Sequence, residues 1–449
     1  MKCISNNILN KKYSNNIKKP LPLPTVIKKK KILCYSDYLF ATLGFGVVSK
    51  HILSGLYNTG KYEIDQLAIN YFIDPNIKSP INIIPARFDN PNDPYGKETF
   101  IRLLRQKTYD AVLIINDTFV VEELITRYKL DELKLNKEFK LVYYYPIDCH
   151  ALNSCVSMIK LADRSVAYTQ FAYDETLKVV NTNPTDVIYH GTNIKSYYPL
   201  TKDKRKELRL KYFKIKDDDT FLFISINRNS LRKNIAQTIY AFNEFKKEVP
   251  NSLLYLHCQP VDGQANYMLD LKIAMDELGL SIEKDVIFPV NYNTVNGFPE
   301  HILNEIVNCG NCCMTTNLGE GFGLFWNIAS AAGIPMLVPD NTVHKELIID
   351  RYAGYSYPCK EPLFIENSGY RFMGRIEDIV NSMLEVYQDW KIKGLNREII
   401  INNGLDYAKE FTWDNVNKQW VKLFDDILTI DNNAPIINKD IPIIQGEVL

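Results

Sequence analysis

"TTNLGEGFGLFWNIASAAGIPMLVPD", Thr315 to Asp340, is the stretch on which the fold turns. A strand-like run, "CCMTT", leads into it. Three glycines then surround one acid, Glu320. An apolar helix is expected over about Leu324–Ala332, with Gly333 as its C-cap, and "IPMLVPD" reads as the next strand. Strand, glycine loop, helix, strand is the unit from which parallel sheets are built. Glycines free the backbone to wrap a ligand, and the helix start presents N–H groups. Glu320 has two readings. As an ionised carboxylate it accepts strong hydrogen bonds from ligand hydroxyls, or it caps the helix at its positive end.

The same alternation runs through the chain. "KILCYSD" (Lys31–Asp37) opens it as a buried strand, and "YEIDQLAIN", "DAVLIIND", "KLVYYYPID", "RSVAYT" and "DVIYHG" follow, most of them separated by helical patterns. "SYYPLTKDKRKELRLKYFKIKDDD" (Ser196–Asp219) interrupts with charge and a proline, as a domain connection would. The alternation restarts with "TFLFISIN", "SLLYLHCQ", "DVIFPV", "NCCMTT" and "PMLVPD". The expected fold is α/β, two tandem Rossmann-like domains. The boundaries are a basic disordered tail over 1–30, a first domain over 31–195, a linker over 196–218, a second domain over 219–410, a helix over 411–430 and a tail over 431–449. In that helix Trp413, Val416, Trp420, Leu423, Phe424 and Ile427 share one face behind a Thr412 N-cap, so it needs a partner surface.

Composition sets bounds. A chain of 449 residues suits two domains plus terminal segments, and 24% charged residues balanced to zero net charge gives no footprint for nucleic acid. No uncharged apolar run reaches the ~18 residues of a membrane span. Nine cysteines without an apolar leader read as reduced thiols in a cytoplasmic protein. Cys309, Cys312 and Cys313 lack the partner pair that zinc requires and are read as buried strand thiols. The lysine-rich start is read as a solvated arm, with peripheral contact to an anionic membrane surface as the alternative.

Open parallel sheets bind ligands beyond the carboxyl ends of their strands, and four loops sit there. "LGFGVV" places Gly44, Phe45 and Gly46 before a helix, either for close approach of an anion or as a structural turn. "SINRNSLRKNIAQTIYAF" (Ser225–Phe242) clusters Arg228, Arg232 and Lys233 before a helix capped by Asn234. This suits a diphosphate, or else is a solvated basic turn. The Glu320 loop is the third. "YPIDCHALN" is the fourth, offering Asp148 and His150, with proton transfer set against a structural histidine. His190 in "VIYHGTN" suggests a hinge. Asp217, Asp218 and Asp219 precede a strand and are read as a solvated turn.

Together these segments resemble the retaining family-4 glycosyltransferases of the GT-B fold. "EGFGLFWNIASAAGIP" follows that family's E-G-F-G-L-P-x-x-E-A-M-A-x-G-x-P pattern. Arg228 and Lys233 match its arginine–lysine pair, "IYHGTN" its inter-domain segment, "GFG" its first loop, and "EFTWDNVNKQW" its final helix. The likeness spans roughly residues 31 to 430. It implies two domains facing a cleft, with the final helix crossing back to the first. The implied donor is a nucleotide sugar such as a UDP- or GDP-sugar, a substrate rather than a cofactor, with no metal ion. The implied acceptor hydroxyl belongs to an unknown glycan, protein or lipid. Arg228 and Lys233 would hold the diphosphate, Glu320 the sugar hydroxyls, and Gly321, Phe322, Gly323, Leu324 and Asn327 the rest of the donor. Gly44, Phe45, Gly46, Asp148 and His150 would line the acceptor side. One position departs: Ile328 stands where the family carries a second glutamate, which contacts the ribose. Ribose recognition therefore differs or donor binding is weaker, and a non-catalytic sugar- or nucleotide-binding protein is the alternative. A dinucleotide oxidoreductase is disfavoured because GxGxxG is missing.

Overall fold

The computed structural model describes residues 28–429 apart from 75, 153, 181–185, 265–266, 293–296 and 366–368. The tails expected over 1–30 and 431–449 thus lie almost wholly outside the described residues. Two seven-stranded sheets form two facing lobes. The first sheet comprises β1 (Lys30–Asp37), β2 (Tyr62–Ile69), β3 (Asn82–Pro85), β4 (Ala111–Ile115), β5 (Lys140–Tyr145), β6 (Arg164–Ala167) and β7 (Asp186–Val187). They run in parallel in the order β3-β2-β1-β4-β5-β6-β7. Sequence order reverses between β1 and β4, which opens a crevice there.

The second lobe holds β8 (Phe221–Ile226), β9 (Ser252–His257), a β10 (Val261–Gln264) and β11 (Tyr267–Asp270) hairpin, β12 (Val286–Ile287), β13 (Cys312–Met314), β14 (Met336–Asp340), β15 (Tyr355–Ile365) and β16 (Gly369–Gly374). Its main sheet is ordered β12-β9-β8-β13-β14-β15-β16, parallel except for the final antiparallel pair, with its reversal between β8 and β13. The central strands are apolar throughout because helices cover both faces. Phe221, Phe223, Leu254, Cys312 and Leu337, for example, are buried in one core. Cys312 and Cys313 are buried in β13 as expected, whereas Cys309, also buried, ends helix Glu300–Cys309 rather than a strand; burial pushes the Cys309 and Cys312 thiols up to about 12.

The segment expected as a linker is an ordered part of the second lobe. It forms a helix, Lys202–Phe213, capped by Thr201 and packed on helix Glu300–Cys309. Buried Arg209 donates to the carbonyls of Cys309 (2.7 Å) and Thr220 (2.5 Å), so its charge anchors rather than solvates. Asp217 closes a turn by accepting from the Thr220 amide at 2.7 Å, as a solvated turn should.

The last helix, Trp413–Ile427, lies on helix Gly44–Asn58 of the first lobe, and Thr412 caps it by accepting from the Asn415 amide. Its tryptophans find their surface there. Trp413 stacks on His51 at 4.6 Å, and Trp420 meets Tyr144 edge-on at 4.8 Å. Buried Asp425 accepts from Lys61 and from the Tyr62 hydroxyl, both at 2.6 Å.

Candidate functional site

The carboxyl ends of both sheets face a common cavity of about 810 Å³. The second-lobe wall starts where β8 ends. The chain passes through a short turn, Leu231–Lys233, and enters helix Ile235–Glu248 at Asn234. Asn234 has φ +47°, a left-handed conformation that asparagine tolerates better than most residues. It occupies the cap position, but its amide donates to Gln237 and caps no backbone group. The loop after β13 is tied to this one. Thr316 donates to the Asn234 carbonyl (2.8 Å), and the Leu318 amide donates to the Arg232 carbonyl (2.9 Å).

That stitching carries Glu320 onto the two cations. Its Oε1 meets Lys233 Nζ and Asn317 Nδ2, and its Oε2 lies 3.0 Å from Arg232 Nη1. Only 5% of the residue is exposed. Burial alone would raise its pKa; the charges of Lys233 and Arg232 outweigh that and hold it down at about 2. On Lys233, burial is the largest influence and works downward against the pull of Glu320. The carboxylate is thus ionised. Glu320 caps nothing: helix Leu324–Ala331 begins after Gly323, whose φ of +88° suits only glycine.

Arg228 and Arg232 take different roles. Arg228 is half exposed at the cavity, its Nε 3.1 Å from Asp262 Oδ2 in the β10–β11 hairpin. Arg232 sits deeper, between Glu320 and Asp148 Oδ2 (3.1 Å) of the first lobe. Sequence reasoning noted Arg232 in the cluster but gave the second cationic role to Arg228. One helical turn of loop is all that separates them.

Around these groups, Phe322 is buried against the His190 ring at 4.3 Å, and Leu324 packs on the core. Gly321 lies against the first lobe; a Cβ there would stand 2.4 Å from Pro146 Cβ. Asn327 lines the cavity, but its side chain is committed to the protein. Its amide donates to the Gly191 carbonyl at 2.9 Å and its oxygen accepts from Tyr407. It therefore braces the joint between the lobes, where the Thr192 amide also donates to the Phe411 carbonyl. Ile328 lines the cavity and offers no acceptor.

His344 is a site residue that sequence reasoning missed. Asn341 donates its amide to the carbonyls of Asn317, Leu318 and Phe372, which fixes Asn341 Oδ1 as an acceptor. His344 Nδ1, 3.2 Å away, must therefore carry the proton. Burial takes the imidazole down to about 4, so it is neutral, with Nε2 left as an acceptor. Nothing in "DNTVHKEL" marks it.

The first-lobe wall begins at Asp37, the last residue of β1. Gly46 closes the turn that follows; a Cβ there would meet the Ala41 and Tyr38 carbonyls at 2.5 and 2.7 Å. Gly44 has open space instead, and Phe45 packs on the core. So Gly46 is the structural glycine, and Gly44 lines the cavity with open space beside it. Asp117, after β4, also lines the cavity. Burial raises Asp37 to about 7 and Asp117 to about 6, with the charge of Asp117 adding to the rise at Asp37 and that of Asp148 to the rise at Asp117.

His150 is a correction. Its ring is not on the cavity. Nδ1 pairs with Glu175 at 3.1 Å, and the ring stacks on Tyr370 of β16. Backbone bonds between His150 and Tyr370, 2.9 and 3.1 Å, turn the side chain outward, so the structural reading of this histidine holds. Asp148 lines the cavity but is committed: besides Arg232 it accepts from Arg371 Nη2 at 2.7 Å. A chain of charges, Arg371–Asp148–Arg232–Glu320–Lys233, thereby crosses from lobe to lobe.

No protein-family model and no curated protein matches the chain. Solved structures do. A sucrose-phosphate synthase from Thermosynechococcus elongatus superposes with a TM-score of 0.66 at 16% identity, over 90% of this chain and all of its own. HepE from Anabaena, solved in complex with UDP-glucose, gives 0.62 at 15%, over 88% and 100%. A glycosyltransferase from Rickettsia africae gives 0.63 at 11%, over 90% and 100%. The chain thus has the two-lobed GT-B architecture that these glycosyltransferases share. Among the described residues, no helix is long and apolar enough to cross a membrane.

Proposed function

We propose that the protein is a glycosyltransferase, moving a sugar from a nucleotide-sugar donor held by the second lobe to an acceptor hydroxyl held by the first. One observation carries this reading. Arg228, Arg232, Lys233 and Glu320 line one wall of a cavity at the switch point of the second sheet. At 810 Å³ that cavity is in the size range of small-ligand sites. The neighbour HepE, which holds UDP-glucose, adds support by its fold.

The chemistry follows from the charges. Breaking a sugar–phosphate bond leaves positive character on the anomeric carbon and negative charge on the departing diphosphate. Arg228, Arg232 and Lys233 are positioned to stabilise that charge as it grows, which speeds the step more than it tightens ground-state binding. Cations supplied by the protein can do the work of a bound metal, so the reaction is proposed to need no metal ion. Glu320, ionised, would accept hydrogen bonds from the donor sugar as the diphosphate draws Lys233 away. The resemblance to the retaining family-4 glycosyltransferases is the ground for proposing retention, with the acceptor hydroxyl entering on the face the diphosphate leaves and passing its proton to a phosphate oxygen.

A second reading rests on Ile328 and Asn327, neither of which offers a free acceptor to a ribose: a protein that binds nucleotide or sugar without turnover. A ligand-observed NMR screen of UDP-, GDP- and ADP-sugars decides between them. Binding with slow release of nucleoside diphosphate, abolished in Lys233→Ala, supports transfer. Binding without release across many acceptors supports the second reading. Equal release by Lys233→Ala would overturn the first.

A further inference from the structure

The second lobe follows the first along the loop that leaves β5. Gly321 lies against Pro146, Gly319 against the Asp148 carbonyl, and Gly369 of β16 against the His150 carbonyl; a Cβ at any of the three would collide there. The lobes therefore touch backbone to backbone. Tyr370 spends both its backbone groups on His150, its amide donating at 3.1 Å and its carbonyl accepting at 2.9 Å. The last strand of the second sheet is thus paired by the first lobe, which covers its edge. Arg371 donates from Nη2 to Asp148 Oδ1 at 2.7 Å and from Nε to the Asp148 carbonyl at 3.1 Å. Glu346 of the second lobe adds a further tie. Its Oε2 accepts from the Phe171 amide, 2.9 Å away, in the first turn of helix Gln170–Leu177.

Two properties distinguish this contact from a permanent seam. Its carrier is thin, because β15 leaves the core after Tyr357 and Lys360 to Phe364 are exposed beneath β16. Its grip is also polar. The Arg371 and Asp148 side chains keep 15% and 28% exposure, so water screens the pair and competes for it. At the joint, by contrast, aromatic rings carry the contact, with His190 at 4.3 Å from Phe322 and 6.2 Å from Trp413. Small polar contacts between domains are the ones that open.

The arm is wired to the site. Asn341 donates to the Phe372 carbonyl of β16 and to the Asn317 and Leu318 carbonyls of the Glu320 loop. Through Asp148, Arg371 holds Arg232 against Glu320. With the arm engaged, Glu320 is 5% exposed and the Lys233 side chain 15%, so the groups a diphosphate would meet are largely covered.

We propose that the β15–β16 arm is a strap that fastens the lobes over the cavity, with Arg371 as its positioning residue, and that it must let go for a nucleotide to enter or leave. Fastened, it holds Arg232 and the Glu320 loop in place for transfer. Released, it leaves the aromatic joint as the axis on which the lobes part. The link to transfer rests on the proposed function; the strap does not.

A reversible crosslink tests this in the full chain. A residue pair exchanging both backbone bonds has Cα atoms roughly 5.5 Å apart, within disulfide reach. His150→Cys with Tyr370→Cys, in a Cys149→Ala background, is compared oxidised and reduced, and a thiol count reports the bond. The bond should form without ligand. Whichever of UDP, GDP and ADP binds the wild type by calorimetry should associate at least tenfold more slowly with the oxidised form in stopped flow, and reductant should restore the rate. Arg371→Ala should enlarge the radius of gyration in solution scattering. Adding the oxidised crosslink to Arg371→Ala should return it to the wild-type value, which a general loss of packing would not allow. Failure of the bond to form, equal association in both redox states, or an Arg371→Ala chain that scatters like the wild type would each overturn the strap. If Arg371→Ala fails to fold, bond formation and the association rates decide. If no nucleotide binds any form, the proposed function fails, and bond formation with scattering judges the strap alone.

Discussion

Asp37→Asn should make the protein more stable, and only above a defined pH. Asp37 ends β1, 94% buried by its 6% exposure, and burial lifts its pKa from 3.8 to about 7. The folded state therefore binds this proton more tightly than the unfolded state does. Between about pH 4 and 7 the folded chain holds more protons, so stability falls as pH rises through that window. Three pKa units at 1.36 kcal/mol each set a ceiling of about 4 kcal/mol on the cost at pH 8. Water entering the cavity reduces it, and about 2 kcal/mol is the expected gain when asparagine removes the charge. In a lobe of this size that is a rise in Tm of roughly 4–8 °C. Calorimetry of wild type and variant at pH 4 and pH 8 tests this. The variants should melt together at pH 4, where the aspartate is already neutral, and diverge at pH 8. An equal gain at both pH values, or a loss at pH 8, would refute the assignment of Asp37 as a carboxyl strained by burial.

Other outcomes follow from the same geometry. Glu320→Gln leaves Lys233 buried without its counter-ion, and Arg232 with Asp148 alone, and should cost about 3–5 kcal/mol near pH 7. The folded pKa of Glu320 is depressed, so its stabilising effect is full above about pH 4.5 and vanishes as pH falls toward 2; denaturant titrations at pH 7 and 3 should show the deficit shrinking. Lys233→Ala should lower the rate of nucleoside diphosphate release about 10²–10³-fold, as loss of one charge-stabilising group typically does, measured by coupled assay at saturating donor. Gly321→Ala forces a methyl against Pro146 and should open the lobes, seen as a larger radius of gyration in solution scattering together with a loss of about 1–3 kcal/mol.

Much of the architecture could be read in advance because buried parallel strands are continuous apolar runs. Runs such as "FLFISI" and "AVLII" announce themselves. The strands overlooked have other patterns. β3 is four residues of mixed exposure at the sheet edge, and β15 leaves the core after Tyr357 to become an exposed, charged hairpin arm. That arm supplies Arg371 and Tyr370, which no local motif predicts, since their partners Asp148 and His150 lie over 200 positions away. The misplacement of His150 has the same origin, because the strand end was visible and the partner that rotates the ring was not. Glu320 and Lys233 were legible because glycine spacing and a basic loop mark strand ends. Asp37 and Asp117 were not, because a lone aspartate after a strand is commonplace. What distinguishes them is their place on the cavity wall, with Asp37 buried, which is a property of the assembled lobe.

The closing of the first lobe by helix Trp413–Ile427 bears on how the protein is made. Lys61 and Asp425, which meet at 2.6 Å, are 364 positions apart. At typical rates of synthesis the ribosome needs roughly 20 to 70 s to travel from one to the other. Throughout that interval the surface of helix Gly44–Asn58 has no cover. A nascent first lobe must wait, sticky on one side, for the last helix to emerge, and during that wait a chaperone or a neighbouring nascent chain competes for the same face.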